Sequence, residues 1–181
     1  MSLPNPEAGL VVSYAYLWHR EHQTGQDEGG KDRPSVLVLA VDRPKDGATL
    51  VTVLPITHSA PGDAASAVEI PAIVKAHLGL DEGRSWIIVA EGNEFLWPGY
   101  DLRKIPHGDR YEYGFLPPRF FNQVLTAFRA PGDSEPGVLL RIPTHRGQAF
   151  RFDRGHHSDL KPANHSNLIA ATLRGAAGRK G

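Results

Sequence analysis

The sequence predicts a mainly β domain: a small, strongly bent antiparallel sheet or barrel with one late helix packed beside it. Three observations carry this. Five or six short apolar runs, rich in Val and Ile, are separated by regular turn signals. Glycine (19) and proline (15) are both frequent, which favours many short elements over long helices. One stretch, residues 117–129, carries the apolar period of a helix.

The elements follow in order. Gly9 to Tyr16 alternates, with Val11, Ser13 and Ala15 against Val12, Tyr14 and Tyr16, as a strand does. Trp18 to Asp32 turns polar and has no period, and loops of that length are often binding loops. Ser35 to Val41 is a buried strand. Asp42-Arg43-Pro44-Lys45-Asp46-Gly47 supplies tight-turn chemistry, and Thr49 to Ile56 returns. After a polar loop, Val68-Glu69-Ile70 is a short strand stopped by Pro71. Ala72 to Leu78 is a helical turn or two closed by Gly79. Ser85 to Ala90 is another strand, and Leu102 to Ile105 an edge strand. In the late helix Phe120, Val124 and Phe128 recur at i, i+4, i+8, flanked by Phe121 and Leu125, and prolines suit its first turn. Ala130-Pro131-Gly132-Asp133 ends it and marks a boundary between a domain over 9–130 and an extension over 131–181. In that extension Val138 to Ile142 and Ala149 to Phe152 read as short strands, Asn167 to Leu173 as a helix, and the end as disordered.

Composition bounds the function. At 181 residues there is room for one domain with a real core, and two would be cramped. Lys+Arg and Asp+Glu are equal at 20 each, so net charge gives no hint of a nucleic-acid partner. From Ala130 onward there are eight basic residues against four acids, so a mildly acidic body precedes a basic tail. The absence of cysteine excludes disulfides, thiolate nucleophiles and Cys-based zinc sites. No apolar run approaches the roughly 18 residues of a membrane span. The start, Met1-Ser2-Leu3-Pro4-Asn5-Pro6, lacks signal-peptide character, so a cytoplasmic location is expected. There is no glycine-rich phosphate loop, no Gly-x-Ser-x-Gly elbow and no His-Glu-x-x-His. His156-His157 with Asp153 and Asp159 meets no zinc-site spacing, and no metal or cofactor is expected.

The stretch Lys31-Asp32-Arg33-Pro34, at the mouth of Ser35 to Ala40, sets a guanidinium beside an apolar strand. The next strand ends in Pro55-Ile56-Thr57-His58. Two adjacent strands then present Arg33 and Thr57 on one surface. Each has an ordinary reading too: a surface arginine flanking a strand, and a β-branched residue closing one. Cleavage of RNA without a metal needs a base for the ribose 2′ proton, an acid for the leaving 5′ oxygen and a cation for the crowded phosphoryl oxygens. Arginine suits the last role through its planar fork. His58 is a candidate acid or base near neutral pH, since an unperturbed imidazole titrates near ~6.5.

The ordered set of strand, long loop, Arg-Pro, strand, hairpin, strand and Pro-Ile-Thr resembles the MazF/PemK family of toxin endoribonucleases. Gly9-Leu10-Val11-Val12, Lys31-Asp32-Arg33-Pro34 with Val36-Leu37-Val38-Leu39, and Val53-Leu54-Pro55-Ile56-Thr57 carry the resemblance. Glu69-Ile70-Pro71, Leu78-Gly79-Leu80, Ser85-Trp86-Ile87-Ile88 and Tyr113-Gly114-Phe115-Leu116 follow in the family's order. It covers roughly residues 9–129. The resemblance implies an SH3-like barrel related to the gyrase poison CcdB. It also implies a homodimer with an RNA groove along the interface, single-stranded RNA as substrate, and a cognate antitoxin that inserts an acidic segment. It places Arg33 on the phosphorane and Thr57 on the scissile phosphate. Asp27 and Glu28 lie in the loop where some relatives carry an acid. Asn93 and Trp97 fall on the expected RNA path, where the rings of Phe95-Leu96-Trp97-Pro98-Gly99-Tyr100 suggest base stacking. The sequence departs from the family at Glu94, which stands where many relatives have an RNA-binding arginine. An alternative is therefore a MazF-fold binding module that has lost nuclease activity, and a third is a gyrase poison of the CcdB kind.

Overall fold

The computed structural model describes residues 3–43, 45, 47–129 and 138–142, all within one unit, Met1–Gln148. It is mainly β. The order is β1 (Leu10–Ala15), α1 (His19–Gln23), β2 (Asp32–Arg43), β3 (Ala48–Thr57), a 3-10 turn (Ala64–Ser66), β4 (Ala67–Glu69), α2 (Ala72–Leu78), β5 (Trp86–Ile88), β6 (Glu91–Leu96), β7 (Leu102–Arg103), β8 (Glu112–Phe115), α3 (Pro118–Arg129) and β9 (Val138–Arg141).

Among the described residues these strands form one sheet along the path β4-β5-β3-β2-β1-β7. Two of its strands serve two neighbours on the same side. β3 pairs with β6 over Leu50–Val53 and with β5 at Ile56–Thr57. β1 pairs with β8 from Leu10 and with β7 at Ser13–Tyr14. A bulge between Leu37 and Leu39 on β2 adds local twist. The ladders are antiparallel, except that β9 runs parallel to β6. No ladder joins β4 to β7 among the described residues, so the expected barrel is found as an open sheet. Five or six strands were expected; β6 and β8 are the ones no periodicity marked.

The strand alternation divides the apolar residues into two layers. On one face Val11, Val36, Val38, Leu54 and Ile56 pack with Ile70, Val74 and Leu78 and with Phe120, Val124 and Leu125 of α3. The late helix thus lies on the sheet as its apolar stripe requires. On the other face Leu10, Val12, Tyr14, Tyr16, Leu37, Val51, Val53 and Phe95 form a second, aromatic-rich cluster. α2 ends where the sequence says it should, with Gly79 at φ +66, a left-handed cap that a side chain would strain. The strand expected at Val138 to Ile142 joins this sheet beyond the boundary drawn at residue 130. The expected strand at 149–152 and helix at 167–173 lie outside the described residues.

Candidate functional site

Arg33 sits on β2 opposite Tyr14 of β1. The β2–β3 ladder is closed at Ser35 and Pro55. Two residues beyond that pair lie Arg33, which stays opposite β1, and Thr57, where β3 turns to pair with Trp86 of β5. Directly opposed residues share a face, and the alternation puts both on the aromatic face with Val12, Tyr14 and Val53.

Five aromatic rings run across that face as a chain. Trp97 stacks on Phe95 at 6.4 Å, and Phe95 on Tyr14 at 4.8 Å and 13°. Tyr14 meets Tyr16 edge-on at 6.4 Å, and Tyr16 meets Trp18 at 5.1 Å. Two guanidiniums close the chain: Arg33 lies 5.3 Å and Arg20 5.6 Å from the centre of the Trp18 ring. Each such contact is worth ~0.5–2 kcal/mol, the upper end being reached only out of water.

The loop that carries Trp18 is built on two anchors. The Asn93 side chain, 1% exposed, accepts from Leu17 N–H at 3.1 Å and donates to Leu17 C=O at 2.9 Å. At the far end a Cβ on Gly29 would fall 2.4 Å from the Tyr16 carbonyl oxygen, so only glycine lets the returning chain pass. Between them, Glu21 reaches back to Trp18 N–H at 3.3 Å, half of a capping box, and starts α1. This five-residue helix was not expected, because His19-Arg20-Glu21-His22-Gln23 has no apolar period.

Among the described residues four buried side-chain polar atoms have no hydrogen-bond partner: Tyr14 Oη, Trp18 Nε1, His19 Nδ1 and Arg33 Nε. All four belong to β1, the residues just after it and the facing position on β2. An unpartnered buried donor costs ~1–3 kcal/mol, and more when charged, so their concentration here is a functional signal. Gln23 Nε2 lies 2.8 Å from His19 Nε2. Burial pushes the Tyr14 phenol well up, reinforced by the charge of Asp101. Tyr16 is pushed up by burial and by Glu91, whose Oε1 lies 3.5 Å from its hydroxyl. Glu91 is itself raised by burial, although the His19 N–H, His19 and Arg20 act against this.

Thr57 is 6% exposed, and its Oγ1 accepts from Ser59 N–H at 3.2 Å. The hydroxyl proton is not used in that bond. His58 projects into solvent, with Nε2 2.7 Å from Asp81 Oδ2. The other Asp81 oxygen takes Lys75 Nζ at 2.8 Å and Gly83 N–H at 3.0 Å. Lys75, 4% exposed, also donates to Ser85 Oγ at 2.8 Å and to the Gly83 carbonyl. These bonds, Lys75's first, hold the Asp81 carboxyl down at about 2. The result is an exposed imidazole, one residue after Thr57, held by a carboxylate that Lys75 keeps ionised down to low pH.

The other candidates divide. Asp27 and Glu28 are exposed on the loop. The Asn93 amide is buried and bonded to Leu17 through one N–H and its oxygen, so it shapes the loop and is not open to substrate. Trp97 is half-buried at the end of the aromatic chain. Glu94 pairs with Thr52, one residue off the register of Phe95 and Asn93, and so faces away from Arg33. Its carboxylate is bound by Arg141 of β9, through Nη2 at 2.8 Å and Nε at 3.0 Å. Sequence reasoning missed Trp18 and Arg20; the only signal was two charged and aromatic residues in a long loop before an Arg-Pro. No three His, Asp or Glu side chains among the described residues are grouped to hold a metal, and His156-His157 lie outside them. No helix among them is long and apolar enough to cross a membrane. No family model, curated protein or solved structure matches the chain.

Proposed function

We infer that the protein is a metal-independent endoribonuclease that cleaves single-stranded RNA, acting as a toxin of the MazF/PemK kind. The observation that carries this reading is that Arg33 and Thr57 each lie two residues beyond the Ser35–Pro55 pair on neighbouring strands, with the alternation of both strands pointing to the aromatic face. In the reaction the ribose 2′-oxygen bonds to the adjacent phosphorus and loses its proton to a base. The bond to the 5′ oxygen breaks, and that oxygen takes up a proton. The products are a 2′,3′-cyclic phosphate and a 5′-hydroxyl. Arg33 stabilises the phosphoryl oxygens, and the Thr57 hydroxyl donates to one of them. His58, oriented by Asp81, exchanges the protons. Glu94 does not oppose this, since it faces away and is neutralised by Arg141. Closure of the sheet into a barrel, pairing of two copies along the RNA groove, and an acidic antitoxin segment over Arg20 and Arg33 belong to the same proposal.

A nuclease-dead binding module of the same shape is the second reading. It is favoured by the burial of Thr57 and by the commitment of the Asn93 amide to the loop.

The test is incubation of the purified protein with long single-stranded RNA in excess EDTA, beside Arg33→Ala. Discrete cuts by the wild type, reduced by roughly 10²-fold or more in the variant, are expected if Arg33 stabilises the transition state. Intact RNA with a folded wild type would leave the binding module as the better account.

A further inference from the structure

We propose that Trp18 is a movable cover on a phosphodiester-binding subsite, and that the RNA backbone displaces its indole from Arg33. This rests on the RNA reading above.

The indole lies against the Arg33 guanidinium at 5.3 Å, and Arg33 Nε is shut off from water with no acceptor. Trp18 Nε1 and His19 Nδ1, in the loop that follows β1, are buried and unpartnered as well. An arginine N–H only donates, and the ligand chemistry that satisfies a buried guanidinium N–H with no acceptor is a group of acceptor oxygens with negative charge, as on a phosphodiester. A phosphate makes charge-assisted, two-pronged bonds to a guanidinium, whereas an indole offers only its ring face. The exchange therefore favours phosphate. The backbone need not move, because Leu17 is fixed by Asn93 and Gly29 is wedged against the Ala15–Tyr16 backbone. What moves is the half-buried Trp18 side chain. Arg20, exposed and 5.6 Å from the centre of the same ring, is placed to take a neighbouring phosphate.

A cover that competes with its ligand makes an unusual forecast: removing it tightens binding. The probe is a fluorescein-labelled, fully 2′-O-methylated single-stranded RNA, which cannot be cleaved, titrated by fluorescence anisotropy. Trp18→Leu is expected to bind about fivefold tighter than the wild type, the worth of one cation–π contact, with Trp18→Phe between them. The wild type's tryptophan emission is expected to change on saturation, and this change to shrink in Trp18→Phe, which keeps Trp86 and Trp97. Thermal melts check that each variant folds, and Trp18→Phe, which keeps a ring in place, decides the matter if Trp18→Leu does not. Folded variants that bind equally well or more weakly overturn the cover. If the wild type binds, and Arg33→Ala does not, the RNA reading survives whichever way Trp18 falls. If wild type and both Trp18 variants bind no RNA, the RNA reading fails and takes the subsite with it.

Discussion

Asn93 grips Leu17 by both sides of its peptide, 76 positions away in the chain, and by doing so sets the exit angle of the loop that carries Trp18. Both bonds are buried, so no water is at hand to replace them. Asn93→Ala would leave a backbone N–H and a backbone C=O unpaired, at ~1–3 kcal/mol each. We expect a total loss of about 2–4 kcal/mol in urea denaturation. Amide exchange of residues 17–24 should quicken as well. A stability change within about 0.5 kcal/mol would mean that the clamp is not needed.

Asp81 supplies an acid-sensitive brace. Its carboxyl is held at about 2 against an ordinary 3.8, chiefly by Lys75 and then by His58. A depressed carboxylate contributes stability above its unfolded value and loses it as pH falls through the folded one. The window is therefore pH 4 down to about 2. The side chain is 57% exposed, which screens part of the effect. Asp81→Asn should lower the melting temperature at pH 7 by a few degrees and flatten the acid limb between those values. A melting curve that tracks the wild type at every pH would rule the brace out.

Glu91 works in the opposite sense. Burial holds its carboxyl above 4.5, so the folded state keeps the proton more tightly than the unfolded one. Ionisation then weighs against folding as pH rises above that value. Glu91→Gln keeps an acceptor for the His19 N–H and removes the charge. The variant should melt higher than the wild type at pH 7, with the gap closing near pH 4. The finding of a more stable wild type at pH 7 would show that the attractions of His19 and Arg20 outweigh desolvation.

Local signals in the sequence were read where local forces decide. α2 has the expected bounds because Pro71 and Gly79 punctuate it on both sides, and Gly79 alone accepts the left-handed cap cheaply. The hairpin of β2 and β3 and the apolar stripe of α3 were legible for the same reason. β6 was not. Glu91-Gly92-Asn93-Glu94 reads as polar loop, and it is a strand because β3 on one side and β9 on the other satisfy its backbone. Gly92 belongs there since a Cβ would meet the Val53 carbonyl at 3.1 Å. Asn93 looked like a ligand contact in the sequence; burial turned it into a clamp. Glu94 looked like an obstacle to phosphate. It stands between Asn93 and Phe95 on β6, so strand alternation turns it to the other face, where Arg141 meets it.

By itself, then, the chain's order of residues determined a mainly β domain, its hairpin, its late helix and the strand positions of Arg33 and Thr57. These follow from apolar period, proline and glycine, which act over a few residues. Only the tertiary structure decided that Trp18 lies against Arg33, that Asn93 holds Leu17, and that Asp81 bridges Lys75 and His58. Such contacts depend on which strands become neighbours and which atoms lose water, and both are set by the packing of segments far apart in the chain.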